Sequence, residues 1–82
     1  MDAQVWERIS IDPKVMVGKP VIRGTRIPVE LIVRMLAQGI PESEILHEYP
    51  RLQPADIRAA LTYAAQVLAD ETVFPFSVSA QA

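Results

Sequence analysis

The sequence predicts a mainly α domain, with three helices preceded by short N-terminal β strands or a hairpin. Apolar residues recur at helical spacing in three stretches between Pro28 and Asp70, and the last two have the spacing of a helix-turn-helix. Before them, short apolar groups are divided by glycine and proline, the punctuation of strands and turns. Half of the 82 residues are hydrophobic and 22% are charged, a balance that favours folding over disorder.

In chain order, Arg8 to Pro13 alternates Ile9 and Ile11 with polar residues, which suits a short half-buried strand that Asp12-Pro13 breaks. Val15 to Val17 is a second short strand or an extended connection. Val21 to Ile27 predicts a tight hairpin with Gly24-Thr25 as the two central residues of a type II′ turn. That register sets Ile22 opposite Ile27 on the core side and Arg23 opposite Arg26 on the other.

Pro28 suits the first position of a helix, Leu31, Ile32, Met35 and Leu36 form its apolar face, and Gly39 supplies the stop. A second helix starts near Pro41 and Glu42, carries Ile45, Leu46 and Tyr49, and ends at Pro50. The third opens at Gln53-Pro54, with Asp56 in its first turn. It has two apolar stripes, Ile57, Leu61, Ala64, Leu68 and Ala60, Tyr63, Val67, leaving only the line Arg58, Thr62, Gln66 polar. A helix apolar over so much of its circumference is covered on two sides, so a partner is expected, most simply a second copy of the chain. The chain divides into an N-terminal strand segment (1–17), a helix-turn-helix-like core (18–70) and an extended C-terminal tail (71–82) that carries Val73, Phe74, Phe76 and Val78.

A domain this small buries only about 60–65% of its unfolded surface, and with no cysteine it has neither disulfide staples nor thiolate metal sites. Association is the remaining way to gain burial. The apolar runs are too short to span a membrane and nothing at the N-terminus resembles a signal peptide, so the expected location is the cytoplasm. The net charge of −2 hides an asymmetry: residues 1–41 carry six basic and four acidic groups, and residues 42–82 two basic and six acidic. A nucleic-acid face is therefore expected in the first half.

The stretches GKPVIRGTRIPVELI, LAQGIPESEILHEYP and LQPADIRAALTYA, from Gly18 to about Ala65, resemble a widespread prokaryotic family, the domain of unknown function 433. The resemblance implies a homeodomain-like helix-turn-helix core with short N-terminal strands. It also implies the role of a VapB-like antitoxin in a type II toxin–antitoxin pair, set against a PIN-like or Mut7-C-like nuclease toxin. Met1 to Glu7 and the residues after Asp70 lie outside the shared stretch, and Ile40-Pro41 stands where many members carry a Ser or Thr cap.

Two arginines facing each other across a hairpin repel, by a few tenths to about 1 kcal/mol, unless an anion joins them. The candidates are a DNA phosphate, a partner's carboxylate, an internal pair with Glu30 or Asp12, or solvent alone. On the favoured reading Arg23 and Arg26 hold operator phosphates, with Lys19 and Arg34 as weaker contributors. At the start of the third helix only Gln53 and Arg58 suit base or phosphate contact, and Asp56 opposes it. Tyr63, Val67, Phe74 and Phe76 are expected in protein interfaces. The tail folds over its own core or lies along a partner's edge, and Trp6 is a local apolar anchor rather than a base-stacking platform.

Catalysis has little to stand on. Glu44 and His47, three apart, offer at most two metal ligands, and the hydroxyls of Ser10, Ser43, Thr62, Ser77 and Ser79 have no evident base. No enzyme activity, cofactor, metal or small-molecule substrate is expected. The expected function is that of a dimeric antitoxin that neutralises its nuclease and binds operator DNA. The alternative is an interaction subunit without DNA contact, or a stand-alone dimeric transcriptional regulator.

Overall fold

The computed structural model describes residues 3–71. The fold is mainly helical, with helix α1 (Ala3–Arg8), strand β1 (Ile9–Ser10), a 3-10 turn (Met16–Gly18), strand β2 (Val21–Ile22), and helices α2 (Val29–Ala37), α3 (Glu42–Glu48) and α4 (Pro54–Asp70). The two strands pair antiparallel, Ile9 with Ile22 and Ser10 with Val21. Ile9, Val21 and Ile22 are all buried, so β2 is covered on both faces.

Helix α1 falls where the sequence suggested only a strand segment. Six residues are too few for a stable isolated helix. Contacts with α4 hold it: Val5 enters the core, and the Trp6 ring meets Tyr63 edge-on at 6.1 Å. Ile11 lies past the end of β1 and is 55% exposed, against the expected alternation. Val15 to Val17 forms no strand: Val15 has extended dihedrals, but Met16 and Val17 turn into the 3-10 segment with positive φ, 50° and 57°. The Asp12 carboxylate accepts from the Lys14 amide at 2.9 Å and its carbonyl from the Val15 amide at 2.9 Å, turning the chain into the 3-10 segment.

The hairpin turn is displaced by one residue from its expected position. The Ile22 carbonyl accepts the Thr25 amide at 3.0 Å, so the central residues are Arg23 and Gly24. Gly24 has φ +81° and Arg23 is not in the positive-φ region, which makes this a type II turn with glycine at its second central position. The Thr25 hydroxyl locks it by donating to the Ile22 carbonyl at 2.7 Å and accepting the Ile27 amide at 3.0 Å. Ile22 still meets Ile27, whose carbonyl accepts its amide at 3.0 Å.

Pro28 is the N-cap of α2 rather than its first residue. The helix ends in a Schellman motif: the Gly39 amide bonds the Leu36 carbonyl, the Ile40 amide bonds the Met35 carbonyl, and Gly39 takes φ +85°. At the head of α4, Pro54 takes the first position, and the Asp56 carboxylate accepts the Gln53 amide at 2.9 Å. The core lies where α1, α2 and α3 meet the first half of α4, around Ile32, Ile45, Ile57 and Ala60. Every buried residue of α4 lies between Asp56 and Ala60. At 1.5 Å per residue α4 is about 25 Å long against about 13 Å for α2, so its C-terminal half overhangs the core.

Candidate functional site

Of the four cations expected to form a basic face, three are engaged internally. Arg23, placed in the turn, directs its guanidinium at the end of α1. Its Nε donates to the Glu7 carbonyl at 2.6 Å, and one terminal nitrogen to the Trp6 and Ile9 carbonyls at 3.2 and 3.0 Å. A positive group there satisfies carbonyls that the helix leaves open and opposes the negative end of its dipole. The negative partner of Arg23 is thus the C-terminus of α1, and the shifted turn removes the expected confrontation with Arg26.

Lys19 and Arg34 converge on one carboxylate of α2. Lys19 Nζ lies 2.8 Å from Glu30 Oε1, and Arg34 lies 3.4 Å from Oε2, one helical turn along. The hydrogen bond from Lys19, then the Lys19 charge, then the Arg34 charge hold the Glu30 carboxyl below its ordinary range. Glu30, weighed from sequence as a partner for Arg23 or Arg26, pairs instead with the other two cations.

Arg26 has no acidic partner among the described residues. It lines a pocket of about 360 Å³ beside the turn, with Ser10, Val15, Val21, Thr25 and Arg51. Arg51, between α3 and α4, donates to the Gly24 carbonyl at 2.7 Å, which fixes it over the turn. Sequence reasoning overlooked Arg51. No local signal marks it, because its partner is 27 residues away.

Gln53 and Arg58 are exposed at the head of α4 as expected. Asp56 does not face outward against a phosphate. It is 6% exposed, and its Oδ1 pairs with Arg8 of α1 at 2.9 Å while Oδ2 accepts the Gln53 amide. The pair ties α1 to the start of α4. The head of α4 therefore presents Arg51, Gln53 and Arg58 with its one acid turned inward.

The second surface is apolar. A groove of about 500 Å³ runs between α2 and the overhanging half of α4. Val29, Val33 and Ala37 form one wall and Tyr63, Ala64, Val67 and Leu68 the other, with Lys19, Glu30 and Arg34 at the rim. Leu61, Val67 and Leu68 are 44%, 43% and 64% exposed. Both interface candidates on α4, Tyr63 and Val67, line this groove; Phe74 and Phe76 lie outside the described residues. Glu44 and His47 are exposed on α3, and no group of three or more metal-ligating side chains gathers among the described residues. No helix among them is long and apolar enough to cross a membrane.

The comparisons with known proteins agree with this architecture. The family model described as "Protein of unknown function (DUF433)" matches residues 9–64. The crystal structure of a DUF433 member from Anabaena variabilis is similar with a TM-score of 0.71 and 41% identity, covering 77% of this chain and 62% of that one. An uncharacterized protein of Archaeoglobus fulgidus is 69% identical over 29 residues, 35% of this chain and 81% of that protein. The uncharacterized protein y4eO of Sinorhizobium fredii is 36% identical over 62 residues, 76% of this chain and 28% of that protein. The chain therefore spans less than a third of the Sinorhizobium protein and less than two thirds of the Anabaena chain.

Proposed function

The chain belongs to the DUF433 family, and from that premise we propose that it is a non-catalytic binding protein, the antitoxin of a type II toxin–antitoxin pair that blocks a PIN-like nuclease. The observation that carries this reading is the apolar overhang of α4. A helix whose second half buries no residue, beside a groove of about 500 Å³, is a surface for another protein. Its outer side, with Leu61, suits a second copy of the chain, and its groove side, with Val67 and Leu68, suits the nuclease.

Helices α2, α3 and α4 form a homeodomain-like trihelical unit on this reading. Operator DNA meets it at the Arg26–Arg51 pocket and the head of α4. Arg51 and Arg58, with Gln53, are exposed there and Asp56 is withdrawn, which favours phosphate contact at this end over the Lys19–Arg34 face. Guanidinium groups suit such contacts because their planar fork matches phosphate oxygens.

The test is purification of the tagged chain from its native host, identification of any stoichiometric nuclease, and assay of that nuclease with and without the chain. Inhibition that the double variant Val67→Asp, Leu68→Asp abolishes is the expected result. Inhibition undiminished by that variant removes the groove from the interface. If no nuclease accompanies the chain, the antitoxin reading falls in favour of a stand-alone regulator.

A further inference from the structure

Resting on the reading of the Arg26–Arg51 pocket as a phosphate contact, we propose that it takes a small phosphomonoester, a dianion that matches the two guanidiniums in charge. Such a ligand competes with the operator backbone for the same two side chains.

Charge selects the ligand class. Neither arginine has an acidic partner among the described residues, and no acidic residue lines the pocket. Arg8, Lys19 and Arg34, by contrast, pair with carboxylates, and Arg23 with three carbonyls. Two unneutralised guanidiniums on one pocket repel each other, and an anion between them removes that cost. A phosphomonoester carries about −1.5 to −2 at neutral pH, whereas a backbone phosphodiester carries a single negative charge. The monoester also has three terminal oxygens where the diester has two, so two planar forks can grip it from different sides.

Donors come to the pocket from three parts of the chain: Ser10 of β1, the turn at residues 24–26, and Arg51 from between α3 and α4. Arg51 commits one terminal nitrogen to the Gly24 carbonyl at 2.7 Å, and its other donors have no partner among the described residues. In the turn, the Thr25 and Ile27 amides are engaged at 3.0 Å each, whereas those of Gly24 and Arg26 donate to no described residue. The frame is set before a ligand arrives. The Thr25 hydroxyl locks the turn, and Arg51 fastens to it from 27 residues away, so less ordering is left to be done on binding. Val15 and Val21 supply an apolar wall for the carbon frame of an ester, and about 360 Å³ is within the range of small-ligand pockets.

The full chain is titrated at neutral pH with monomethyl phosphate and, at matched ionic strength, with dimethyl phosphate, and its amide resonances are followed by NMR. The expected result is a saturable shift at Gly24, Thr25 and Arg26 with monomethyl phosphate, and binding of dimethyl phosphate weaker by about tenfold or more. Arg26→Ala, which removes no side-chain contact among the described residues, weakens monomethyl phosphate binding by about tenfold or more. Equal affinity for the two esters, no saturation with monomethyl phosphate, or an unchanged affinity in Arg26→Ala overturns the proposal. No duplex takes part in these titrations, so the two readings fail separately. A chain that prefers the monoester in this way and binds no duplex keeps the phosphomonoester site and loses the operator. A chain that binds a duplex and shows no preference between the esters does the reverse.

Discussion

Replacing Arg23 and Arg26 singly with alanine separates an arginine that holds the fold from one available to a ligand. The Arg23 guanidinium makes three hydrogen bonds to carbonyls at the end of α1, at 2.6, 3.2 and 3.0 Å. The bond to Ile9 is partly buried and is worth about 1 kcal/mol; the two exposed ones contribute about 0.5 kcal/mol each at most. Loss of a cation from the helix C-terminus adds about 0.3 kcal/mol at an exposed site. Arg23→Ala therefore costs about 2 kcal/mol, which in a domain of this size lowers Tm by roughly 8–16 °C. Arg26 has no side-chain partner among the described residues, so Arg26→Ala stays within about 0.5 kcal/mol of the parent. Urea unfolding followed by circular dichroism measures both. Nucleic-acid affinity should show the reverse order. Arg26→Ala combined with Arg51→Ala reduces the slope of log K against log salt by about 0.9 for each phosphate that is no longer neutralised, while Arg23→Ala leaves it unchanged wherever the protein is folded. Equal destabilisation by the two single variants, or a smaller salt slope in Arg23→Ala, would refute the reasoning.

Three further outcomes follow from particular contacts. Asp56→Ala removes the bond to the Gln53 amide, about 1 kcal/mol, and leaves the one-third-exposed Arg8 unpaired, about 1–2 kcal/mol more. Asp56→Asn keeps an acceptor for the amide and costs about half as much; denaturation midpoints that cannot be told from the parent's would exclude the α1–α4 tie. Gly39→Ala destabilises by about 1 kcal/mol through its φ of +85° alone, since nothing lies within 4 Å of the added methyl, and Gly39→Asn recovers part of the loss. Glu30 titrates below the ordinary carboxylate range because of Lys19. A depressed folded value means that its stabilising effect is present above the unfolded carboxylate's pKa and disappears as pH falls through the folded one. The pair is half-exposed, so the effect is small and screened by salt. NMR titration should show the Glu30 midpoint rising in Lys19→Ala, and a stationary midpoint would remove Lys19 as the cause.

The sequence by itself determined what depends on near neighbours. The periods of α2, α3 and α4, the stop at Gly39, the start at Pro54 and Asp56, and the meeting of Ile22 with Ile27 all follow from residues within a few positions of one another. Side-chain period and turn chemistry act over that range, and they leave their mark in composition. The turn at Gly24 was legible as a turn but not in its register, because a glycine at the first or the second central position satisfies two different turn types.

Tertiary structure decided the roles of the charged groups. Arg23 reaches residues 14–17 positions back, Arg51 reaches 27, and Arg8 meets Asp56 across 48. Over such separations the chain chooses partners by how helices pack, and composition carries no record of it. Helix α1 is the same case. Its six residues are too short to hold a helix alone and gain one from α4, through Val5, Trp6 and the Arg8–Asp56 pair. The apolar surplus of α4 could be counted along the sequence. Which half of the helix would be left uncovered depended on where α2 ends against it, and only packing settles that.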